Sequence, residues 1–490
     1  MNLGIISRNV GIALICTAIF MLLSAGVSAL YGFDSSFSPL VLSSFSPLVL
    51  SALITGIFGI FPLIFVKRSR DINTREGLAI LLLAWLLACI FGMLPYVLWG
   101  GEFSLANAWF ESTSGITTTG ATIVKDIESL PHGLLFWRSS SHYIGGLGVV
   151  VFIMMILPSF GSVRFRMSKM DVLDVSRENY HYVSNKYVRV IVSVYAGITV
   201  LSFVALLLAG MPVFDAINHA MSVTATGGFS TRTASVAAFN SPLIEGILIF
   251  FMIVATLHFG LIYASFASRS FKVLRNPVTK FYLLTIVIAV VAVTLNLYFS
   301  GTVGNFLQAF RESAFEVVST ISTSGFAIAD TNGWPIFTTL ILLFVAIQCG
   351  CSGSTTSGLR SDRVLILFQA CRAQILKLAH PNAVVHVKTG NTIIERELVE
   401  SVTTFTILYL FFAFIGSLIY SFFGFDLLES ISVSVAMMSN VGPAFGSVGT
   451  MSNFAAVPAL AKVIMGLQMI VGRLGIVSIL MIIPTFNKRY

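Results

Sequence analysis

The sequence predicts an all-α polytopic membrane protein: two leading membrane helices, then four pseudo-symmetric helix–pore-loop–helix repeats around one central pore. Three observations carry that expectation. The 490 residues are 56% hydrophobic and only 10% charged, whereas a soluble domain carries about 25% charged residues. Apolar stretches recur near residues 9–32, 46–66, 77–99, 134–158, 188–210, 242–266, 281–299, 335–358, 399–423 and 455–484. Between them, a short run of small or polar residues with glycine returns four times.

The first stretch, Asn9–Gly32, is long enough to stay in a bilayer, since roughly 20 apolar residues cross one. No separate cleavable leader precedes it by pattern. The octapeptide SSFSPLVL at Ser35–Leu42 is repeated unchanged at Ser43–Leu50. A tandem copy in a loop or helix start reads as a tolerated insertion. The leading pair then spans residues 1–66, and the repeats 67–163, 164–268, 269–360 and 361–490. The five cysteines are Cys16, Cys89, Cys349, Cys351 and Cys371. An odd count, mostly in apolar segments, predicts small packing residues rather than a disulfide framework.

Charge sets the expected orientation. Basic residues cluster between alternate apolar stretches: Lys67 to Arg75, Arg164 to Arg189, Arg269 to Lys280 and Arg360 to Arg396. With Arg8, Lys488 and Arg489 they make 23 of the 29 Lys and Arg. The positive-inside rule places all of these, and both termini, in the cytoplasm. The net charge of +8 is therefore a topology signal and not a nucleic-acid signature. The opposite loops are leaner in Lys and Arg and carry Asp34, Glu102, Asp126, Glu128, Asp215, Asp330, Asp426 and Glu429.

The four recurring runs are ITTTGAT (Ile116–Thr122), TATGGFS (Thr224–Ser230), ISTSGFA (Ile321–Ala327) and MSNVGPA (Met438–Ala444). Their glycines align as Gly120, Gly228, Gly325 and Gly442, with Gly227 as an alternative in the second run. Glu111 matches Glu316 at the same offset. A segment of ten to twelve residues precedes each run: Leu105–Gly115, Phe214–Val223, Phe310–Thr320 and Leu427–Met437. That is too short to span, so a re-entrant half-helix is expected. Irregular backbone at membrane depth survives only where protein or a water-filled cavity surrounds it. One such run alone would read as a turn. Four in register predict a ring whose carbonyls replace part of a cation's hydration shell. Glycine supplies the unusual dihedrals, and the half-helices aim their partly negative C-terminal ends at the axis. The candidate ligands are the backbone carbonyls of Thr118, Thr119 and Gly120; Thr226, Gly227 and Gly228; Thr323, Ser324 and Gly325; and Asn440, Val441 and Gly442.

Further features stand out. QCGCSGSTTSGLRSDR (Gln348–Arg363) breaks an apolar segment with three Gly and five Ser or Thr between Gly350 and Gly358. Tight small-residue packing is the bland reading, but three glycines at roughly 1 kcal/mol each weaken a helix. Arg473 lies deep in the last apolar segment, where a central Arg costs at least ~2.5–3.5 kcal/mol. GGLG (Gly145–Gly148) permits close helix packing, and His142 and His258 read as hydrogen-bonded structural histidines rather than proton relays.

These residues resemble the Trk/Ktr/HKT superfamily of potassium-uptake proteins, and its TrkH-type bacterial subunit most closely. The likeness covers the whole chain. It rests on TSGITTTGAT, WRSSSHYIGGLGVVVF (Trp137–Phe152), TATGGFST, STSGF, CSGSTTSG (Cys351–Gly358), SNVGPAFG (Ser439–Gly446) and GRLGIVSIL (Gly472–Leu480). The resemblance implies a filter with one key glycine per repeat. It implies that Gly350, Ser352, Gly353, Ser354, Thr355, Thr356 and Gly358 belong to an intramembrane gating loop. Arg473 would be a barrier in the pore under the filter. It further implies a homodimer with a cytosolic TrkA-type regulatory ring carrying nucleotide-binding domains. No G-x-G-x-x-G or Walker motif follows a strand in this chain, so ATP or NAD would sit on that partner and no cofactor on this chain. The sequence departs from the family pattern at Cys349, Thr356, Ser357, Ala444 and Gly475.

The expected function is potassium uptake across a bacterial inner membrane. A membrane-embedded enzyme is the first alternative, but no HExxH, G-x-S-x-G or intramembrane acid pair supports it. An ion-coupled carrier for another solute is the second. Such carriers often use inverted repeats, whereas these repeats all start on one side.

Overall fold

The computed structural model describes residues 2–32, 44–66, 74–156, 180–390 and 392–476. Helices α1 (Leu3–Gly32) and α2 (Phe45–Phe65) form an antiparallel pair. Ser28 meets Ser44 at one end (2.9 Å), and Arg8 donates to the carbonyl of Val66 at the other. The second copy of the duplicated octapeptide begins α2, while the first lies outside the described residues.

Repeat one contains α3 (Thr74–Gly92), continued by α4 (Leu94–Trp99), the short α5 (Leu105–Ile116) and α6 (His132–Ile156). Repeat two contains α7 (Tyr180–Leu208), α8 (Val213–Thr224), α9 (Pro242–Ala255) and α10 (Phe259–Ala267). In repeat three, α11 (Lys272–Arg275) leads to α12 (Pro277–Phe299), α13 (Phe306–Ile321) and α14 (Ile336–Gln348). Repeat four has α15 (Ser361–Ala379), α16 (Arg396–Phe422), α17 (Leu427–Ser439) and α18 (Ala459–Leu474). Among the described residues, six helices are long and apolar enough to cross a membrane, or seven if α9 and α10 count as one bent span.

Helix starts follow local chemistry. Ser241 and Asn276 cap α9 and α12 with their side chains, each with proline at the first helical position, where its missing N–H costs nothing. Three of the four half-helices start likewise. Ser104 and Asn305 accept backbone N–H groups, and Asp426 forms a capping box with Glu429.

Several segments differ from the sequence-based expectation. The third half-helix starts at Phe306 instead of Phe310, because Asn305 supplies its cap. The stretch 335–358 is helical only to Gln348 and resumes at Ser361. The stretch 242–266 is bent by 98° between α9 and α10. Arg360 occupies the N-cap position of α15 at the end of the irregular loop, with φ +70°. Strands β1 (Lys388–Thr389) and β2 (Thr392–Ile393) pair antiparallel, an unforeseen hairpin whose turn has Gly390 at φ +60°. The basic positions Lys67, Arg68, Arg70, Arg164, Arg166, Lys169, Arg177, Lys488 and Arg489 lie outside the described residues.

Candidate functional site

The four half-helices α5, α8, α13 and α17 end in one shared geometry. Thr118, Thr226, Thr323 and Asn440 adopt left-handed backbone, with φ of 54°, 54°, 57° and 55°. The next N–H in each case reaches back five residues: Thr119 to Ser114 (2.8 Å), Gly227 to Ser222 (2.9 Å), Ser324 to Ser319 (3.0 Å) and Val441 to Ala436 (3.0 Å). This is a Schellman closure, usually built on glycine. Asparagine tolerates the conformation, whereas a β-branched residue there is an outlier. Three threonines in this state store strain of order 1–3 kcal/mol each.

Two residues on, Gly120, Gly228, Gly325 and Gly442 take φ of +83°, +86°, +69° and +95°. These alternating signs swing successive carbonyls relative to a regular helix. The second repeat's equivalent glycine is thus Gly228, not Gly227. The four glycines also close a ring. A Cβ on Gly120 would overlap the carbonyl oxygen of Gly227. A Cβ on Gly228 would strike Ser324 O, one on Gly325 would strike Val441 O, and one on Gly442 would strike Thr119 O. Each loop meets the next, and the fourth returns to the first. The ring is buried, and among the described residues the Thr118 and Thr323 hydroxyls and the Asn440 Oδ1 have no hydrogen-bond partner.

Polar side chains support this ring from behind. Glu111 is fully buried and accepts from Arg138 Nε (2.8 Å), Ile123 N (3.0 Å) and the Thr122 hydroxyl. Arg138 also donates to Ser230 O of repeat two (3.2 Å) and lies over the Phe229 ring. His142 donates from Nδ1 to Gly115 O (2.8 Å) and accepts at Nε2 from Phe229 N (3.2 Å). Both nitrogens are thereby used in a neutral ring, and repeats one and two are tied together. His219 joins the Ser230 hydroxyl (3.0 Å), and Glu316 accepts from Ile328 N (2.8 Å) and Ala329 N (3.3 Å). Glu111, His219 and Glu316 all stand nine residues before a ring glycine. The sequence displayed the Glu111–Glu316 match, but the different residue type hid His219. Asn440 Nδ2 closes the circuit by donating to Thr119 Oγ1 (2.9 Å) and Met469 O (3.0 Å). In GGLG, a Cβ on Gly145 would overlap Ile116 O, so α6 lies directly against the end of α5.

The loop 349–360 packs under the ring. Cys351 N donates to Thr256 O (3.0 Å), and Phe259 N donates to Gly353 O (3.1 Å). The loop thus satisfies the two helix ends freed by the α9–α10 bend, as an apolar interior demands. His258 sits in that bend and accepts the Leu261 N–H at the start of α10 (3.3 Å). The Thr355 hydroxyl lies 3.3 Å from that of Thr226 in the ring. Ser352 donates from N (3.1 Å) and Oγ (2.6 Å) to Asp362, and the Ser354 and Thr356 hydroxyls pair at 2.8 Å. Gly353 and Gly358 have φ of +77° and +73°, and a Cβ on Gly358 would strike the Cys349 sulfur. Gly350 accepts from Ser361 N (2.8 Å). Arg473, 4% exposed, donates from one nitrogen to Thr355 O (2.7 Å) and Ser357 Oγ (2.8 Å), and from the other to Gly145 O (3.4 Å). Arg473 therefore joins α18, the loop and α6.

A family model described as TrkH, cation transport protein, matches residues 47–485. The Trk system potassium uptake protein TrkH of Salmonella typhimurium is 34% identical over 424 residues, covering 86% of this chain and 87% of that protein. TrkH of Vibrio parahaemolyticus is 30% identical over 487 residues and covers 98% of each. The crystal structure of the potassium transporter TrkH from Vibrio parahaemolyticus has the same fold, with TM-score 0.88 and 29% identity over 100% of both chains. These relatives are ion transport proteins, not enzymes. On sequence and fold together, this chain belongs to the TrkH family of cation transport proteins.

Proposed function

We propose that this chain takes up potassium across a bacterial inner membrane through the four-glycine ring, which acts as its selectivity filter. One observation carries the reading: each ring glycine abuts the carbonyl before the next, so the four loops enclose one axis. Carbonyls from Thr118 to Gly120, Thr226 to Gly228, Thr323 to Gly325 and Asn440 to Gly442 replace the ion's water, helped by unpartnered oxygens of Thr118, Thr323 and Asn440. The half-helix C-termini favour a cation there. The 349–360 segment is the gate, and Arg473 holds it closed while its charge opposes cations below the filter. The four basic groups support a cytoplasmic position for both termini. A homodimer bearing a cytosolic nucleotide-binding ring of the TrkA type completes the assembly, with ATP or NAD on that ring.

Rubidium uptake in a host lacking its own potassium uptake tests the reading. The parent chain restores uptake. Gly325→Val, which drives a side chain into Val441 O at a left-handed position, loses potassium-over-sodium selectivity. Uptake by the parent that ignores alkali ions, or a Gly325→Val variant of unchanged selectivity, overturns it. Separate ion gradients across a planar bilayer distinguish passive from coupled flux.

A further inference from the structure

The ring is not equally supported on its four sides. Nine residues before each glycine stand Glu111, His219, Glu316 and Val433, and six before stand Ser114, Ser222, Ser319 and Ala436. Repeats one to three carry polar groups at both positions, whereas repeat four carries two apolar ones. In repeat three both are in use. Glu316 Oε1 holds the N–H groups of Ile328 and Ala329, and the Ser319 hydroxyl donates to Phe326 O (2.5 Å). Ala436 cannot make the matching bond, and among the described residues the Ser114 and Ser222 hydroxyls do not make it either.

The junctions differ as well. Between repeats one and two, Arg138 and His142 cross from one loop to the other. Eighteen residues after the ring glycine, repeat one has Arg138 and repeat three has Leu343. Among the described residues Glu316 has no cationic partner. A cavity of about 30 Å3, lined by Glu316, Leu343, Ala436, Val441 and Ala444, lies behind the ring between repeats three and four. That is room for about one water. The polar links between these repeats sit beyond the ring, at Thr331–Thr450 (3.1 Å) and Gly446–Asn332 (2.9 Å).

We propose that the junction of repeats three and four is the compliant side of the filter, and that Glu316 and Ala436 are specificity-determining residues. They set how far the Gly325 and Val441 carbonyls can close from potassium onto the smaller sodium ion. A well-packed interior resists displacement, whereas a void lets its lining move. The Glu316 strut limits that movement on one side; on the other, the Ser432 hydroxyl holds the matching Phe445 N–H (3.2 Å) and position 436 offers no second bond. The inference rests on the conduction reading above.

Potassium–sodium reversal potentials of the purified full-length protein in planar bilayers test it, because they do not depend on how much protein is active. Ala436→Ser adds the missing hydroxyl and raises the potassium-to-sodium permeability ratio about threefold, the scale of one added hydrogen bond. Glu316→Leu removes the strut and lowers the ratio about tenfold, whereas Glu316→Gln keeps a carbonyl acceptor and stays near the parent. If Glu316→Leu does not fold, Ala436→Ser decides the matter alone. A conducting parent whose Ala436→Ser variant keeps or lowers its ratio overturns this inference and leaves the conduction reading standing. A parent that passes no alkali ion overturns both.

Discussion

Replacing Arg473 by methionine should speed ion flux, and the size of the effect follows from its contacts. The guanidinium makes two short bonds to the loop, to Thr355 O at 2.7 Å and Ser357 Oγ at 2.8 Å. The third, to Gly145 O at 3.4 Å, is at the limit of a hydrogen bond. Bonds to a charged donor are worth about 1.5–3 kcal/mol each. In the proposed opening the loop leaves and Arg473 would regain part of that from water, so the lower bound, about 3 kcal/mol for two bonds, is the better estimate. That shifts the ratio of open to closed loop by about 100-fold. Methionine fills similar volume without a buried charge. Rubidium uptake into proteoliposomes at matched protein density is the assay, with elution profile and Tm as folding controls. The Arg473→Met variant should be faster than the parent until filter conduction becomes limiting. Arg473→Lys separates the latch from the charge. It keeps the positive charge but loses the two-pronged geometry, so latch control predicts an intermediate gain and barrier control predicts none. A folded Arg473→Met protein with unchanged or slower uptake refutes the latch.

Two further outcomes follow from the supports behind the ring. Arg138→Met strands the Glu111 carboxylate in a buried site and should destabilise the protein by about 3–5 kcal/mol, seen as a lower Tm in detergent. Pairing it with Glu111→Met should recover much of that loss, and strict additivity in the double-mutant cycle would contradict the ion-pair account. His142→Phe keeps the stacking on Phe229 but removes both hydrogen bonds across repeats one and two. It should cost about 1–3 kcal/mol of stability and broaden ion selectivity in the reversal-potential assay, while unchanged selectivity would assign His142 to packing alone.

The class of fold, the four half-helices and the aligned glycines were legible because each depends on local pattern. Length and apolarity decide what spans a bilayer. A helix must stop where Thr or Asn enters left-handed backbone and Gly follows, and both signals lie within three residues. The Glu111–Glu316 correspondence was likewise a matter of counting. Equivalence of Gly228 over Gly227 was not, because TATGG allows either register, and the backbone dihedrals and the contact with Ser324 O select one.

The bend between α9 and α10 shows where sequence alone runs out. Thr256, Leu257 and His258 include neither Gly nor Pro, so nothing local forbids a continuous helix. The helix breaks because the backbone of Cys351 and Gly353, almost a hundred residues later, replaces the hydrogen bonds it gives up. Arg473 is the same case: its charge is visible in the chain, but its partners come from the loop and α6. The sequence by itself determined the apolar stretches, the short half-helices and where the ring glycines fall, since those follow from apolar length and backbone freedom, but not the breaks within 242–266 and 335–358. Only the tertiary structure decided which freed carbonyl meets which N–H and that a void lies between repeats three and four, because in a water-poor interior every such group takes whatever partner the packing brings to it.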